Sequence, residues 1–193
     1  MGRLGREIFT GQIMTMFKET VVHDGELLEA FCEALKCGNA KNVEQLFTAY
    51  LQKTVSIRDT FVRKNIKENL PSGKATTTGS KRQNPSVCFY HGILLGILGF
   101  KGDWYVISNR QSGDGYSDIQ VVIDREEIGL VIEVKYAQNM DLESECAKAI
   151  DQINKNRYTK ELHDDGIATI FKYGIVCHKN RCRVAVEKEE QST

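Results

Sequence analysis

Ile128-Gly-Leu-Val-Ile-Glu-Val-Lys-Tyr136 is an almost continuous run of apolar, largely β-branched residues carrying two charges near its end. Bounded by the polar turn Asp124-Arg-Glu-Glu127, a run of this length reads as a strand inside a sheet. Period-two alternation sets Glu133 and Lys135 on one face of it. Upstream, residues 116–123 read as another strand, close enough across the turn to pair with the first as an antiparallel hairpin. Asp118 lies near the start of that strand, after the flexible run Ser112-Gly-Asp-Gly115. Glu133-Val134-Lys135 is the only acidic-x-Lys triplet in the chain, and it falls in the most apolar strand, where a bland surface ion pair is least expected.

Charged side chains pointing together from a central strand cost several kcal/mol if they are buried without partners. A hairpin register that brings Asp118 beside Glu133 deepens the cost, because like charges repel. A divalent cation resolves it. Two carboxylates, a backbone carbonyl (that of Val134) and waters form the hard oxygen set that magnesium prefers, and manganese is the natural substitute. Such an ion would polarise a phosphate and acidify a bound water. Lys135 would orient that water or neutralise charge developing on the phosphate.

The rest of the chain places this pair in a fold. Phe9, Ile13, Met16, Phe17 and Val21 make an apolar stripe at helical spacing. Asp24 can cap a second helix with Leu27, Leu28, Phe31 and Leu35 inward, ending at Gly38. Asn39 can cap a third with Val43, Leu46, Phe47, Tyr50 and Leu51 inward. Residues 70–88 hold both prolines of the chain among Gly, Ser and Thr, and read as a flexible loop. Gly73-Lys74 within it lacks the earlier glycine of a phosphate loop, Glu68 standing in that place. Residues 89–100 then read as a buried helix, 104–108 as a strand, 142–162 as one long helix with Cys146, Ala149, Ile150 and Ile153 inward, and 168–177 and 181–186 as two last strands.

Composition narrows the classes of function. With 193 residues the chain can bury one good core. No apolar run is long enough to span a bilayer, and no signal-peptide core is present, so a cytoplasmic location without membrane contact is expected. The six cysteines read as reduced core residues, and Cys177-His178 with Cys182 is too thin a motif for zinc. Lys and Arg total 26, and so do Asp and Glu. A nucleic-acid binder that relies on charge shows a basic excess, so any such binding by this chain should be weak and salt-sensitive.

Gly113-Asp-Gly-Tyr-Ser-Asp118, with Ile132-Glu-Val-Lys135 fifteen residues on, resembles the signature of PD-(D/E)XK nucleases. Together with Phe89-Tyr-His-Gly-Ile-Leu-Leu95 and Gly129-Leu-Val-Ile-Glu-Val-Lys-Tyr-Ala137, it is similar to the nuclease-like C-terminal domain found behind a predicted AAA-type ATPase in bacterial and archaeal proteins. The likeness runs from about Glu7 to Val186 and includes Ser56-Ile-Arg-Asp-Thr-Phe61.

The resemblance implies an α/β fold with a restriction-endonuclease-like core of order α-β-β-β-α-β and an N-terminal helical subdomain. The expected division is 6–69 for that subdomain, 70–88 for a flexible insertion that the family lacks, and 89–187 for the core. Asp118 and Glu133 would be the metal carboxylates and Lys135 the catalytic lysine. Gln152 would belong to the motif on the helix after the core strands. Glu68, Tyr158 and His91 are weaker candidates. The separation of Gln152 from Tyr158 is longer than in the family and sets them on different helical faces, and His91 reads first as a core histidine. Arg110 and Lys172 could contact phosphate. The implied function is a magnesium-dependent nuclease acting on nucleic acid, with DNA the expected substrate. The alternative is an inactive module of the same fold that binds nucleic acid or protein beside an AAA-type ATPase domain, which these 193 residues do not contain. A homodimer would suit cleavage of both strands of a duplex.

Overall fold

The structure, a computed structural model, describes residues 25–54 and 85–190. The stripe from Phe9 to Val21, the cap Asp24, Glu68 and most of the insertion lie outside these residues.

Helix α1 (Gly25–Lys36) buries Leu28, Phe31, Cys32 and Leu35, the i, i+3, i+4, i+7 positions of one face. It stops at Gly38, whose φ of +70 is the left-handed conformation that glycine adopts without strain. Asn39 N–H donates to the Ala34 carbonyl at 2.9 Å and Gly38 N–H to Leu35 at 3.2 Å, which satisfies carbonyls the helix end leaves open. Asn39 then accepts the Asn42 N–H on its side chain, capping α2 (Ala40–Thr54) as the sequence predicts. Helix α3 (Pro85–Leu98) begins four residues before the expected Phe89, so the last part of the expected insertion is helical. Proline suits a first helical turn, where no N–H donor is needed.

Five strands follow in the order β1-β2-β3-β4-β5: β1 (Tyr105–Ser112), β2 (Gly115–Ile123), β3 (Ile128–Tyr136), β4 (Thr169–His178) and β5 (Arg181–Glu190). All neighbours pair antiparallel except β3 and β4, which run parallel. Their connection carries helices α4 (Leu142–Lys155) and α5 (Lys160–Asp164). Helix α3, three strands, α4 and β4 reproduce the expected α-β-β-β-α-β order, with β5 added at the edge.

The sheet separates two apolar layers. Ile119, Val121, Leu130, Ile132, Val134, Tyr173 and Ile175 share one cluster with Leu28, Phe31, Phe47, Leu51, Leu94 and Ile97, so α1, α2 and α3 cover one face together. Val131 and Ile170 meet Ile150, Ile153, Tyr158 and Leu162 on the other face, beneath α4 and α5. Tyr173 ties the first layer down, its buried hydroxyl donating to the Leu35 carbonyl at 2.6 Å.

Two expectations need correction. Strand β1 extends to Ser112 because Ser112-Gly-Asp-Gly115 is not a loose run but the tight turn of a hairpin, with Ser112 paired to Gly115. The single helix expected over 142–162 is broken. Arg157 adopts φ +52, Tyr158 N–H bonds back to the Ile153 carbonyl at 3.1 Å, and a new short helix starts at Lys160. The break frees the Asn156 carbonyl to accept the N–H of Asp114 (2.9 Å), seating the β1–β2 turn on the end of α4. The six cysteines are free thiols, with Cys32, Cys146, Cys177 and Cys182 buried but Cys37 exposed. Among the described residues no helix is long and apolar enough to cross a membrane.

Candidate active site

The ladder between β2 and β3 ends at Ile119 opposite Ile132. Continuing that register sets Asp118 opposite Glu133, where backbone pairing gives way to a side-chain bond: Asp118 Oδ2 accepts the Val134 N–H at 2.9 Å. In a strand a residue's N–H and C=O leave by the same edge, so the Val134 carbonyl leaves β3 on the edge where Asp118 sits.

On its other side Asp118 is equally irregular. The β1–β2 register passes from Ser108–Ile119 to Arg110–Ser117 and omits Asn109, which has φ +51. The Asp118 carbonyl is met instead by His91 Nε2, reaching from α3 at 3.0 Å, with Ser108 Oγ 3.3 Å from the same nitrogen. Because a carbonyl only accepts, Nε2 carries the proton. His91 is thus neither a bare core histidine nor a member of the carboxylate cluster. It braces the backbone of Asp118. Outer partners that fix a metal ligand typically matter by roughly ten- to a hundredfold in metal affinity. If Asp118 holds a divalent cation, His91→Ala should weaken its binding by about that factor while leaving the circular dichroism spectrum unchanged, a comparison that calorimetric titration settles.

Glu133 is 5% exposed. Its Oε1 accepts from Gln152 Nε2 (2.6 Å) and stands 3.4 Å from Lys135 Nζ, while Lys135 donates to Gln152 Oε1 at 2.7 Å. Helix α4 thus supplies one amide that closes a ring with the acid and the lysine of β3. Glu133 Oε2 is buried with no hydrogen-bond partner. Burial, and then the nearby Asp118 charge, push the Glu133 carboxyl up to about 7, against the pull of Lys135 and Gln152. Burial also raises Asp118 above the usual carboxylate range, offset in part by the Val134 N–H and by the charges of His91 and Lys135.

An orphaned carboxylate oxygen beside a second carboxylate is a site where a cation fits. Among the described residues no three His, Cys, Asp or Glu side chains gather in metal-binding range. Any ion held here would therefore take two protein carboxylates and complete its shell with backbone, solvent or substrate oxygens.

Asp118, Glu133, Lys135 and Gln152 are the expected residues that the structure brings together. Tyr158 is not joined to them. It is buried in the layer beneath α4, its hydroxyl accepts from Asn156 Nδ2 at 2.9 Å, and its carbonyl accepts from Ser112 Oγ and Gln120 Nε2. Glu68 lies outside the described residues. Arg110 and Lys172 are tied to Glu161 (2.6 Å) and Glu187 (3.0 Å). Sequence reasoning passed over Gln120, although a fully buried polar side chain two residues from Asp118 on the same face is legible by alternation alone. It also passed over Asn109, whose residue type is enriched at positive φ, and Ser108, for which no local signal exists.

The sequence model of the PD-(D/E)XK nuclease superfamily matches residues 88–187, and the chain belongs to that superfamily. The five-stranded mixed sheet flanked by helices agrees with its restriction-endonuclease-like core. No curated protein matches the chain.

Proposed function

We propose that this chain is a divalent-metal-dependent nuclease that hydrolyses phosphodiester bonds, with magnesium or manganese as cofactor and DNA as its first substrate. The observation that carries the reading is the pairing of Asp118 with a buried Glu133 whose Oε2 has no partner. An uncompensated polar atom of this kind costs on the order of 1–3 kcal/mol, a cost that a cation bound between the two carboxylates would offset. Asp118, Glu133 and the Val134 carbonyl form a hard oxygen set suited to magnesium. When bound, the ion supplies polarisation of the scissile phosphate and a more acidic water.

The remaining work falls to the chain itself. Gln152 holds Glu133 Oε1 and the Lys135 ammonium together, which leaves Oε2 unengaged. Lys135, kept beside the carboxylates, would neutralise charge developing on the phosphate. His91 would keep Asp118 in register without touching substrate.

The test is cleavage of labelled single- and double-stranded DNA and RNA in magnesium, manganese or EDTA, beside Glu133→Ala and Lys135→Ala. Metal-dependent cutting that both variants lose is the expected result, and it names the substrate at once. A folded protein that cuts nothing and shows no heat of metal binding would overturn the reading. It would leave an inactive module of the same fold, with an AAA-type ATPase as the partner to seek.

A further inference from the structure

Cys177 and Cys182 stand opposite each other across the β4–β5 hairpin. The chain turns through Lys179 and Asn180, so His178 and Arg181 close the ladder and the two cysteines form the next pair in. Pairs in an antiparallel ladder alternate between hydrogen-bonded and non-hydrogen-bonded. Two bonds show which kind this is. The Cys182 N–H points out of the ladder and donates to Thr48 Oγ1 on α2 at 3.3 Å. The Cys177 carbonyl leaves β4 on the β3 side and accepts the Ala137 N–H at 3.0 Å. The pair is therefore non-hydrogen-bonded, with Cα atoms about 4.5 Å apart and the side chains drawn together. That separation falls within the roughly 4.4–6.8 Å that a disulfide spans.

Both thiols lie in the layer covered by α1, α2 and α3. Cys146 lies beneath α4 on the other face, with Ala137 and Val176, and its Sγ donates to the Arg183 carbonyl at 3.3 Å. The sheet separates it from the pair. Access divides the two members. Cys177 is wholly enclosed, whereas Cys182 lines a cleft of about 420 Å³ between α2 and the start of α4, beside Thr48, Gln52 and Leu142.

We infer that Cys177 and Cys182 are a reversible dithiol–disulfide pair, in which Cys182 meets a peroxide and Cys177 closes the bond. The Cys182 thiolate attacks one peroxide oxygen, the O–O bond breaks, and a sulfenic acid forms as hydroxide leaves. The Cys177 thiolate attacks that sulfur, the S–O bond breaks, and a second hydroxide leaves. The two thiol protons join the two hydroxides, so one peroxide is reduced to two waters as one disulfide forms. A dithiol reductant reverses the step by exchange. Burial holds both thiols protonated, so closure is slow. A disulfide sulfur has no hydrogen to donate, so closure also removes the bond from Cys182 Sγ to the Glu44 carbonyl of α2 (3.5 Å).

The experiment exposes the folded full chain to hydrogen peroxide, blocks the remaining thiols with N-ethylmaleimide in denaturant, and weighs tryptic peptides without reduction. Trypsin cuts after Lys172, Lys179, Arg181 and Arg183, so the two cysteines leave in separate peptides, 173–179 and 182–183. The expected result is a species that joins these two peptides, formed equally in Cys146→Ala and parted by dithiothreitol. The same chain oxidised in urea should give a mixture of pairings, because the register no longer chooses the partner. A folded protein that gives that mixture, or that joins either cysteine chiefly to Cys146, overturns the inference. So do peptides that stay apart throughout a time course carried on until Cys182 itself is oxidised or the protein unfolds.

Discussion

Glu133→Gln should abolish cleavage, by at least about a thousandfold, and at the same time make the metal-free protein more stable at pH 8. The two effects have one origin. Glu133 is the more deeply buried carboxylate of the pair and carries the oxygen without a partner. As a metal ligand it would contribute several kcal/mol of transition-state charge stabilisation, and each 1.4 kcal/mol lost is about a factor of ten in rate. Without metal the same carboxylate is a liability. Its pKa is raised from 4.5 to about 7, so the folded state resists ionisation more than the unfolded chain does. The sign follows directly: the contribution of protonated Glu133 is complete below about pH 4.5 and is lost as the pH rises through 7. By pH 8 the loss is on the order of 3 kcal/mol. Glutamine keeps the acceptor for Gln152 and cannot ionise. Thermal melts of both proteins in EDTA should therefore coincide near pH 4.5 and separate by several degrees at pH 8, with the variant higher. Adding magnesium should raise the melting temperature of the parent alone. A variant that is less stable than the parent at pH 8 would show that the ionised Glu133 carboxyl is not a liability in the fold, and one that still gains from magnesium would show that Glu133 does not carry the metal.

How far the sequence alone reaches is clearest at β3. Its bounds, Ile128–Tyr136, were readable from an apolar run between two polar turns, because strand length and composition are local properties. The buried stripes of α1, α2 and α4 were readable for the same reason. The end of α4 was not. Helix ends are read from glycine, and here a left-handed position is held by Arg157, whose guanidinium is secured by two nitrogens on the Asp114 carboxylate. Asp118, Glu133 and Lys135 could be named because alternation and a hairpin register are short-range rules. The brace from His91 to the Asp118 carbonyl joins residues 27 apart in sequence, which no short-range rule reaches. The partnerless oxygen of Glu133 depends on where α4 delivers Gln152, which only tertiary packing decides.

Gly113→Ala should destabilise the protein by about 4 kcal/mol or more, a large fraction of what a domain of this size has to spare. Gly113 has φ +56, so any side chain adds on the order of 1–2 kcal/mol of backbone strain. The steric term is larger. A Cβ at this position would lie far inside van der Waals contact with the carbonyl oxygens of Asn156 and Arg157. Both are backbone atoms at the end of α4, so neither can rotate away. The turn would have to lift, and with it would go the Asp114 N–H bond to Asn156 (2.9 Å) and the Ser112 hydroxyl bond to the Tyr158 carbonyl (2.8 Å). Gln120, which donates to that carbonyl from further along β2, would be left buried with an unpaired amide. Gly166→Ala is the control: φ there is +80, but a Cβ meets nothing, so only the strain of about 1–2 kcal/mol applies. Denaturant midpoints of the two variants separate the steric cost from the conformational one. The damage should also reach the site. Asp118 lies on β2, five residues beyond Gly113 of the turn, and Gln152 stands on α4 one turn before its cap Asn156. Any Gly113→Ala protein that folds should bind magnesium more weakly than the Gly166→Ala control, because the contact it disrupts sets the carboxylate-bearing hairpin against the helix that carries Gln152.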